Sequence, residues 1–401
     1  MDLNKAKHQY AQIMVKIGLA LKPGQPVFVD APVEASEFVK ILAEEAYRAG
    51  ASDVCVFWNC ESIANLSACH HEPVAAEEET ALAARYADAG AGYIRLICPA
   101  FDMPEGVSPE RINRMAVISA ERRKLFRVSK KRGGFTLCCI PCESWADRVY
   151  PDLPPERRLA QLWEAVLFCA RCGGDADPVE AWKDYISMTQ VRKERLDSNH
   201  YQAYRFRCEG TDLTLRPAQS AKWAGGCIEY PGERVFIPNL PTEEVFCVPD
   251  RRTVEGFVRA TKPLNYNGSL IEGFTLCFRQ GRVVEYHAEK GQELLKSILE
   301  TDEGSCCLGE FALVDQQSPI ARINRVFYTT LFDENAACHL ALGMIAGQLP
   351  LEKADEWGLN RSRIHVDFMF GADDLLVEGQ RADGSWDAIM VNGRWAGNFG
   401  V

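Results

Sequence analysis

The chain has 401 residues, 47% of them hydrophobic and 25% charged, a globular balance that allows a large core without disulfide staples. At roughly 100–200 residues per domain, this length gives two or three domains. Its 45 basic against 56 acidic residues give a net charge of -11, which argues against a nucleic-acid binder, since such a protein needs a Lys/Arg footprint.

The opening Met1-Asp2-Leu3-Asn4-Lys5 lacks the basic-then-apolar order of a signal peptide. No apolar run reaches the ~18 residues of a membrane span. The 16 cysteines are too dilute for a disulfide scaffold, so they are expected as thiols in a cytoplasmic protein.

In chain order, residues 5–21 carry apolar positions at helical spacing, and Lys22-Pro23-Gly24-Gln25 breaks the helix. Val27-Phe28-Val29 reads as a strand, followed by a helix over 33–49. Val54-Cys55-Val56-Phe57-Trp58 is the next strand. Helical sequence over 61–91 leads into the strand Tyr93-Ile94-Arg95-Leu96-Ile97. A long helix over 109–131 precedes the strand at 135–140. Its basic clusters, Arg122-Arg123-Lys124 and Lys130-Lys131-Arg132, read as a solvated face. Strands apolar on both faces, alternating with helices, predict a mostly parallel sheet covered by helices.

Residues 155–197 are helical twice over. From about 199 the character changes to short antiparallel strands. Hairpins are expected at 202–208/211–216, turning on Glu209-Gly210, and at 274–278/283–287, turning on Gln280-Gly281. Asn267-Gly268, Asp383-Gly384 and Asn392-Gly393 are further turn signals. The fold expected is α/β: an N-terminal α/β domain over 1–198 and a C-terminal α+β catalytic domain with antiparallel strands over 199–401.

Several familiar motifs are missing. There is no G-x-G-x-x-G after a strand, no P-loop, no H-E-x-x-H and no G-x-S-x-G. The pairs Cys139/Cys142 and Cys169/Cys172 have zinc-site spacing, but the second lies in an amphipathic helix, and buried apolar thiols are the simpler reading. His70-His71 and His287 stand apart from other ligand types.

Four segments of the second half carry carboxylate or imidazole in apolar surroundings. In Pro238-Asn239-Leu240-Pro241-Thr242-Glu243-Glu244-Val245-Phe246, adjacent carboxylates point to opposite faces if extended, so one faces inward; a solvated turn is equally open. Glu310 interrupts the apolar run Cys306–Val314. Burying it costs several kcal/mol unless a cation is near, and either a metal or an arginine would serve. In the segment 333–343, Asp333 reads as the N-cap of a helix bearing His339 among small residues, with a core histidine as the alternative. In Ile364-His365-Val366-Asp367-Phe368-Met369, period two puts His365 and Asp367 on one strand face, a platform for a divalent ion or a simple hydrogen-bonded pair. Together these give three carboxylates and two imidazoles.

These blocks, with Leu21-Lys22-Pro23-Gly24-Gln25, Ala31-Pro32-Val33-Glu34-Ala35 and Ala46-Tyr47-Arg48-Ala49-Gly50-Ala51, resemble the aminopeptidase T and aminopeptidase S family of two-metal aminopeptidases. The resemblance runs over almost the whole chain. It implies a homodimer whose sites face an internal cavity, short-peptide substrates, and two divalent ions, zinc or cobalt, with manganese as a further choice. It places the ligands on Glu244, Glu310, His339, His365 and Asp367, with Glu244 chosen over Glu243 by its spacing to Glu310. Glu243 is then the candidate general base or amine anchor, Glu310 the candidate catalytic carboxylate, and either Glu310 or Asp367 the bridge between the two ions. One position departs: the family's tyrosine seven residues after the histidine is Ala346 here. Two other readings follow from the same residues. One is a single-iron ring-opening dioxygenase on His339, His365 and Asp367; the other is a peptide-binding relative impaired by Ala346.

Overall fold

A computed structural model describes the chain except for residues 72–76, 100, 102–107, 109–110, 112–113, 116–117, 119–124, 127–132, 231–233, 267–268, 348 and 401. The basic clusters at 122–124 and 130–132 and the Asn267-Gly268 turn lie outside the described residues, as does most of the helix expected over 109–131.

By contacts the chain forms two compact units, Met1–Ile186 with Cys227–Thr242, and Ser187–Gly226 with Glu243–Val401. This division differs from a single break at 198/199. The reason is that Asn239–Leu240 pairs in parallel with Phe135–Cys139, which returns the segment 227–242 to the first unit.

The first unit is built on a parallel sheet in the order Asp53–Asn59, Pro26–Pro32, Gly92–Ile97, Phe135–Cys139, Asn239–Leu240. Its first helix, Leu3–Ile13, starts where the Asp2 carboxylate accepts from the N–H groups of Asn4 and Lys5 at 3.0 and 3.1 Å, satisfying donors the helix itself cannot. Tyr10, Ala11 and Ile13 of that helix are buried. On the sheet, Phe28, Tyr93 and Phe126 stack into an aromatic cluster with Phe135 and Phe236.

The second unit holds two antiparallel sheets. The larger has eight strands, running from Arg282–His287 through Thr275–Arg279, Glu255–Arg259, Thr211–Leu215, Ala203–Cys208, Leu376–Gln380 and Trp386–Val391 to Arg394–Trp395. The expected hairpins appear in it, with Gln280, Gly281, Asn392 and Gly393 all at positive φ, as tight turns require. The smaller sheet has four strands in the order Glu244–Cys247, Leu308–Val314, His339–Gly343, His365–Met369. One face of it, made by Val245, Cys247, Phe311, Leu313, Leu340, Leu342, Val366 and Phe368, joins the core with Phe206, Leu213 and Val377 of the larger sheet. Among the described residues, no helix is long and apolar enough to cross a membrane.

Candidate metal centre

The same alternation that sends Val245, Phe311, Leu340 and Val366 into the core puts the polar residues on the other face of the small sheet. Glu244 is paired with Val314, Ala312 with His339, and Ala341 with both Glu310 and Asp367; Gly343 is paired with His365. All five expected ligands therefore share one face. Two alanines, Ala312 and Ala341, lie between them, and their methyl groups leave the longer side chains room to converge.

Glu310 reaches this face because of a defect in the ladder. Leu308 and Phe311 both point to the core, three residues apart, and the pairing with His339–Gly343 shifts between Leu308 and Glu310. The extra residue is Gly309. A bulge there inverts the alternation, as a one-residue slip does, and turns Glu310 away from the core. A Cβ on Gly309 would sit 2.2 Å from the Met344 carbonyl oxygen and 2.5 Å from that of Gly343. Gly309→Ala should therefore cost about 2–3 kcal/mol of stability through overpacking and weaken metal retention with it. Urea unfolding and metal analysis check this; an unaffected variant would show that the bulge tolerates a side chain.

The ligand atoms of Glu244, Glu310 and His339 lie within 4.8 Å of one another, as do those of Glu310, His365 and Asp367. Glu310 belongs to both groups. His339 Nε2 is 3.0 Å from Glu244 Oε2, and His365 Nε2 is 3.2 Å from both Glu310 Oε2 and Asp367 Oδ1. Each Nδ1 faces a main-chain carbonyl, that of Ala337 at 3.2 Å for His339 and that of Met344 at 2.7 Å for His365. A carbonyl can only accept, so Nδ1 carries the proton and Nε2 is left as the ligand atom.

His339 is not on a helix. Thr330–Asp333 and the short turn Glu334–Ala336 end when Ala337 adopts extended backbone, φ -158° and ψ 156°, and His339 opens a strand. Nor is Asp333 an N-cap. It sits inside the short helix, and its buried carboxylate accepts from the N–H groups of Phe327 at 2.8 Å and Thr329 at 3.1 Å. Burial raises it to about 6.

Glu334 was missed by the sequence. It is buried, and its charge acts on Asp367, Glu244, His339 and Glu310. Its signal was an acidic pair within an otherwise apolar and small run, Phe332 to His339. Glu243 and Glu244 are both buried. Glu243 donates its N–H to Asn335 Oδ1 at 2.6 Å, and Asn335 Nδ2 in turn donates to Leu331 O at 3.0 Å and Glu334 Oε1 at 3.3 Å.

The electrostatics test whether these residues suit cations. Burial, with Glu244 and Asp367 adding to it against His365, pushes Glu310 up to about 7. Burial and the same neighbours hold Glu334 well above the carboxylate range. Burial would lower His339, but the Glu244 hydrogen bond and the surrounding carboxylates carry it to about 10. His365 is likewise raised, by Asp367 and Glu310 against desolvation. Burial would raise Asp367, but His365 holds it down. Glu310 and Glu334 thus tend to keep their protons, and the two imidazoles to carry theirs, which limits a buried excess of negative charge. Divalent cations bound by carboxylate oxygen and imidazole nitrogen would relieve the same excess. The donor set fits such ions.

Comparison with known proteins agrees. Residues 3–395 match the family model described as thermophilic metalloprotease (M29). Aminopeptidase 2 of Geobacillus stearothermophilus is 38% identical, covering 98% of both chains. Aminopeptidase AmpS of Bacillus subtilis is 37% identical over 96% of this chain and 97% of its own. The solved structure of wild-type AmpT from Thermus thermophilus aligns with a TM-score of 0.89 at 35% identity, covering 98% of this chain and all of that one. The chain belongs to the thermophilic metalloprotease (M29) family and is a metal-dependent hydrolase.

Proposed function

We propose that the chain is an aminopeptidase that removes N-terminal residues from short peptides with two divalent ions, zinc or cobalt first and manganese next. The observation that carries this reading is Glu310, which belongs to both ligand groups at a buried site. Glu244 and His339 would complete one ion, His365 and Asp367 the other, with Glu334 as a further carboxylate in the shell. Ions held there polarise a carbonyl oxygen and lower the pKa of coordinated water.

The chain's own residues do the rest. The main-chain carbonyls of Ala337 and Met344 fix the tautomer and the aim of the two imidazoles. Asn335 holds the backbone of Glu243 and touches the Glu334 carboxylate, so it positions both. Glu243 is the candidate for anchoring the substrate's free amine or taking a proton from the nucleophile. A carboxylate on the free amine accounts for exopeptidase selectivity.

The single-iron dioxygenase reading needs His339, His365 and Asp367 on one ion. Among the described residues the two histidines fall in separate ligand groups, which favours two ions. Ala346 donates its N–H to Gly309 O at 3.4 Å, next to Glu310, so its exchange for the usual tyrosine is placed to affect rate or substrate range. A homodimer goes with the same reading on the resemblance, and a cytoplasmic setting on the expectation that the cysteines are thiols.

The experiment is direct. The protein is stripped, reloaded with zinc, cobalt or manganese, and assayed on dipeptides and leucine anilides, with metal content measured. Turnover at two ions per chain is expected. No hydrolysis with any of the three metals defeats the proposal, and one iron per chain would favour the dioxygenase.

A further inference from the structure

Spacing in the sequence pairs Cys142 with Cys139, but the fold brings it to a different thiol. Gly92–Ile97 and Phe135–Cys139 are parallel neighbours, with Ile97 opposite Cys139 and the Ile140 N–H donating to Ile97 O at 2.8 Å. The two segments leave the sheet side by side, so Cys98 and Cys142 meet just beyond its carboxyl ends. Cys142 Sγ lies 3.8 Å from the carbonyl oxygen of Pro99, the residue after Cys98, and as a thiol donates to it. The thiols of Cys98 and Cys142 also hydrogen-bond to one another. Cys139 stays within its strand, fully buried.

The two thiols differ in character. Cys98 is buried and Cys142 only partly so. Their mutual bond, with burial adding to it, holds the Cys98 proton far above the ordinary thiol range. The same bond brings Cys142 down to about 7; Ser144 Oγ at 3.4 Å and the Trp145 N–H help, against burial and the Glu34 carboxylate. Cys142 is thus the nucleophile and Cys98 the proton-bearing partner beside it. The setting is open to small molecules. Pro26–Pro32 lies between Asp53–Asn59 and Gly92–Ile97, so its connections run off in opposite directions and leave a crevice at the carboxyl ends. Glu34, Glu143 and Ser144 are exposed there. Cys169 and Cys172, the other pair at zinc spacing, are both buried, and burial pushes Cys172 up to about 12.

The structure assigns Cys98 and Cys142 as an oxidative modification site, a reversible disulfide made by hydrogen peroxide at the open end of the parallel sheet. It is independent of the metal centre and of the aminopeptidase reading. The Cys142 thiolate attacks peroxide; the O–O bond breaks, leaving a sulfenic acid and hydroxide, which takes up a proton and departs as water. The Cys98 sulfur then attacks the Cys142 sulfur. The S–O bond breaks, the S–S bond forms, and the Cys98 proton leaves with the hydroxide as a second water. The two sulfurs lose two electrons and the peroxide gains them. A small dithiol reverses the step by exchange, returning two electrons and becoming a disulfide itself. In a reducing compartment such a pair is transient and signals oxidant, whereas a structural disulfide would persist.

The test treats the reduced full chain with a small excess of hydrogen peroxide at neutral pH and maps its peptides without reductant. The Cys98 and Cys142 peptides are expected joined, lighter by about 2 Da than their sum, and separated again by dithiothreitol. Cys142 should react about tenfold or more faster than Cys172. In Cys98→Ala the reaction should stop at the Cys142 sulfenic acid, which dimedone traps; Cys98→Ser serves if the alanine variant does not fold. Cys142→Ser should leave Cys98 reduced. The assignment is overturned if Cys142 stays a thiol under peroxide, joins another cysteine such as Cys139, or passes to sulfinic acid with no crosslink. Oxidation of Cys98 at an unchanged rate in Cys142→Ser overturns it as well.

Discussion

Glu310→Gln should abolish metal-dependent peptide hydrolysis, by about three orders of magnitude or more, while leaving the metal-free protein as stable as its parent or up to about 2 kcal/mol more so. The two effects have one cause. Glu310 is the carboxylate common to both ligand groups, so a neutral amide in its place removes the anionic oxygen that both ions would share. The same carboxylate is buried among Glu244 and Asp367, which push its proton affinity up. Removing the charge relieves that repulsion, and the amide oxygen still accepts from His365. Activity, metal content and urea unfolding of the metal-free protein are the three measurements. Near-parental turnover would mean that Glu310 is not shared, and a large loss of metal-free stability would mean that its charge is satisfied in a way the site geometry does not reveal.

The metal-free protein should lose stability as pH rises from about 5 to 10, and added metal should restore it. Glu310 is raised from 4.5 to about 7. Its contribution is thus fully present below pH 4.5 and is lost as pH passes through 7. His339 is raised from 6.5 to about 10, so its contribution is present below 6.5 and is lost on the way to 10. Both act in the same sense. Asp367 is shifted the other way, down from 3.8, and matters only in acid. Metal ligation needs both imidazoles deprotonated at Nε2, so affinity climbs over the same range, and binding stabilises the folded state by mass action. Thermal melts between pH 6 and 9 should show the midpoint of the chelator-treated protein falling by about 5–10 °C, with the metal-loaded midpoint nearly flat. A metal-free midpoint that rises over this interval contradicts the proton inventory of the site.

Much of this architecture was legible in the residues because it follows from alternation and charge. His365 and Asp367, two apart on an apolar strand, reveal a shared face without any knowledge of their neighbours. The strand–helix alternation of the first half is equally local. What stayed hidden was set by contacts distant in sequence. His339 was read as helical because Asp333 and the alanines suit a helix, but pairing with Leu308–Val314 and His365–Met369 outweighs propensity. Glu310 could be flagged as a misplaced carboxylate, yet the bulge at Gly309 that turns it outward depends on the register of a strand some thirty residues later. The return of Asn239–Leu240 to the first sheet leaves no trace in composition. Glu334 escaped notice because its neighbours in space, Glu244, Glu310, His339 and Asp367, come from four separate strands.

The unequal exposure of the two imidazoles, His365 34% exposed and His339 buried, has a kinetic consequence. With two ions bound, the one on the His365 side would exchange with the medium more readily, and the one held by His339 would wait for the sheet around it to loosen. A mild chelator would then empty the two positions in sequence. During metal scarcity the molecule would pass through a half-loaded form that keeps its fold and has lost its turnover, ready to be recharged by a single ion.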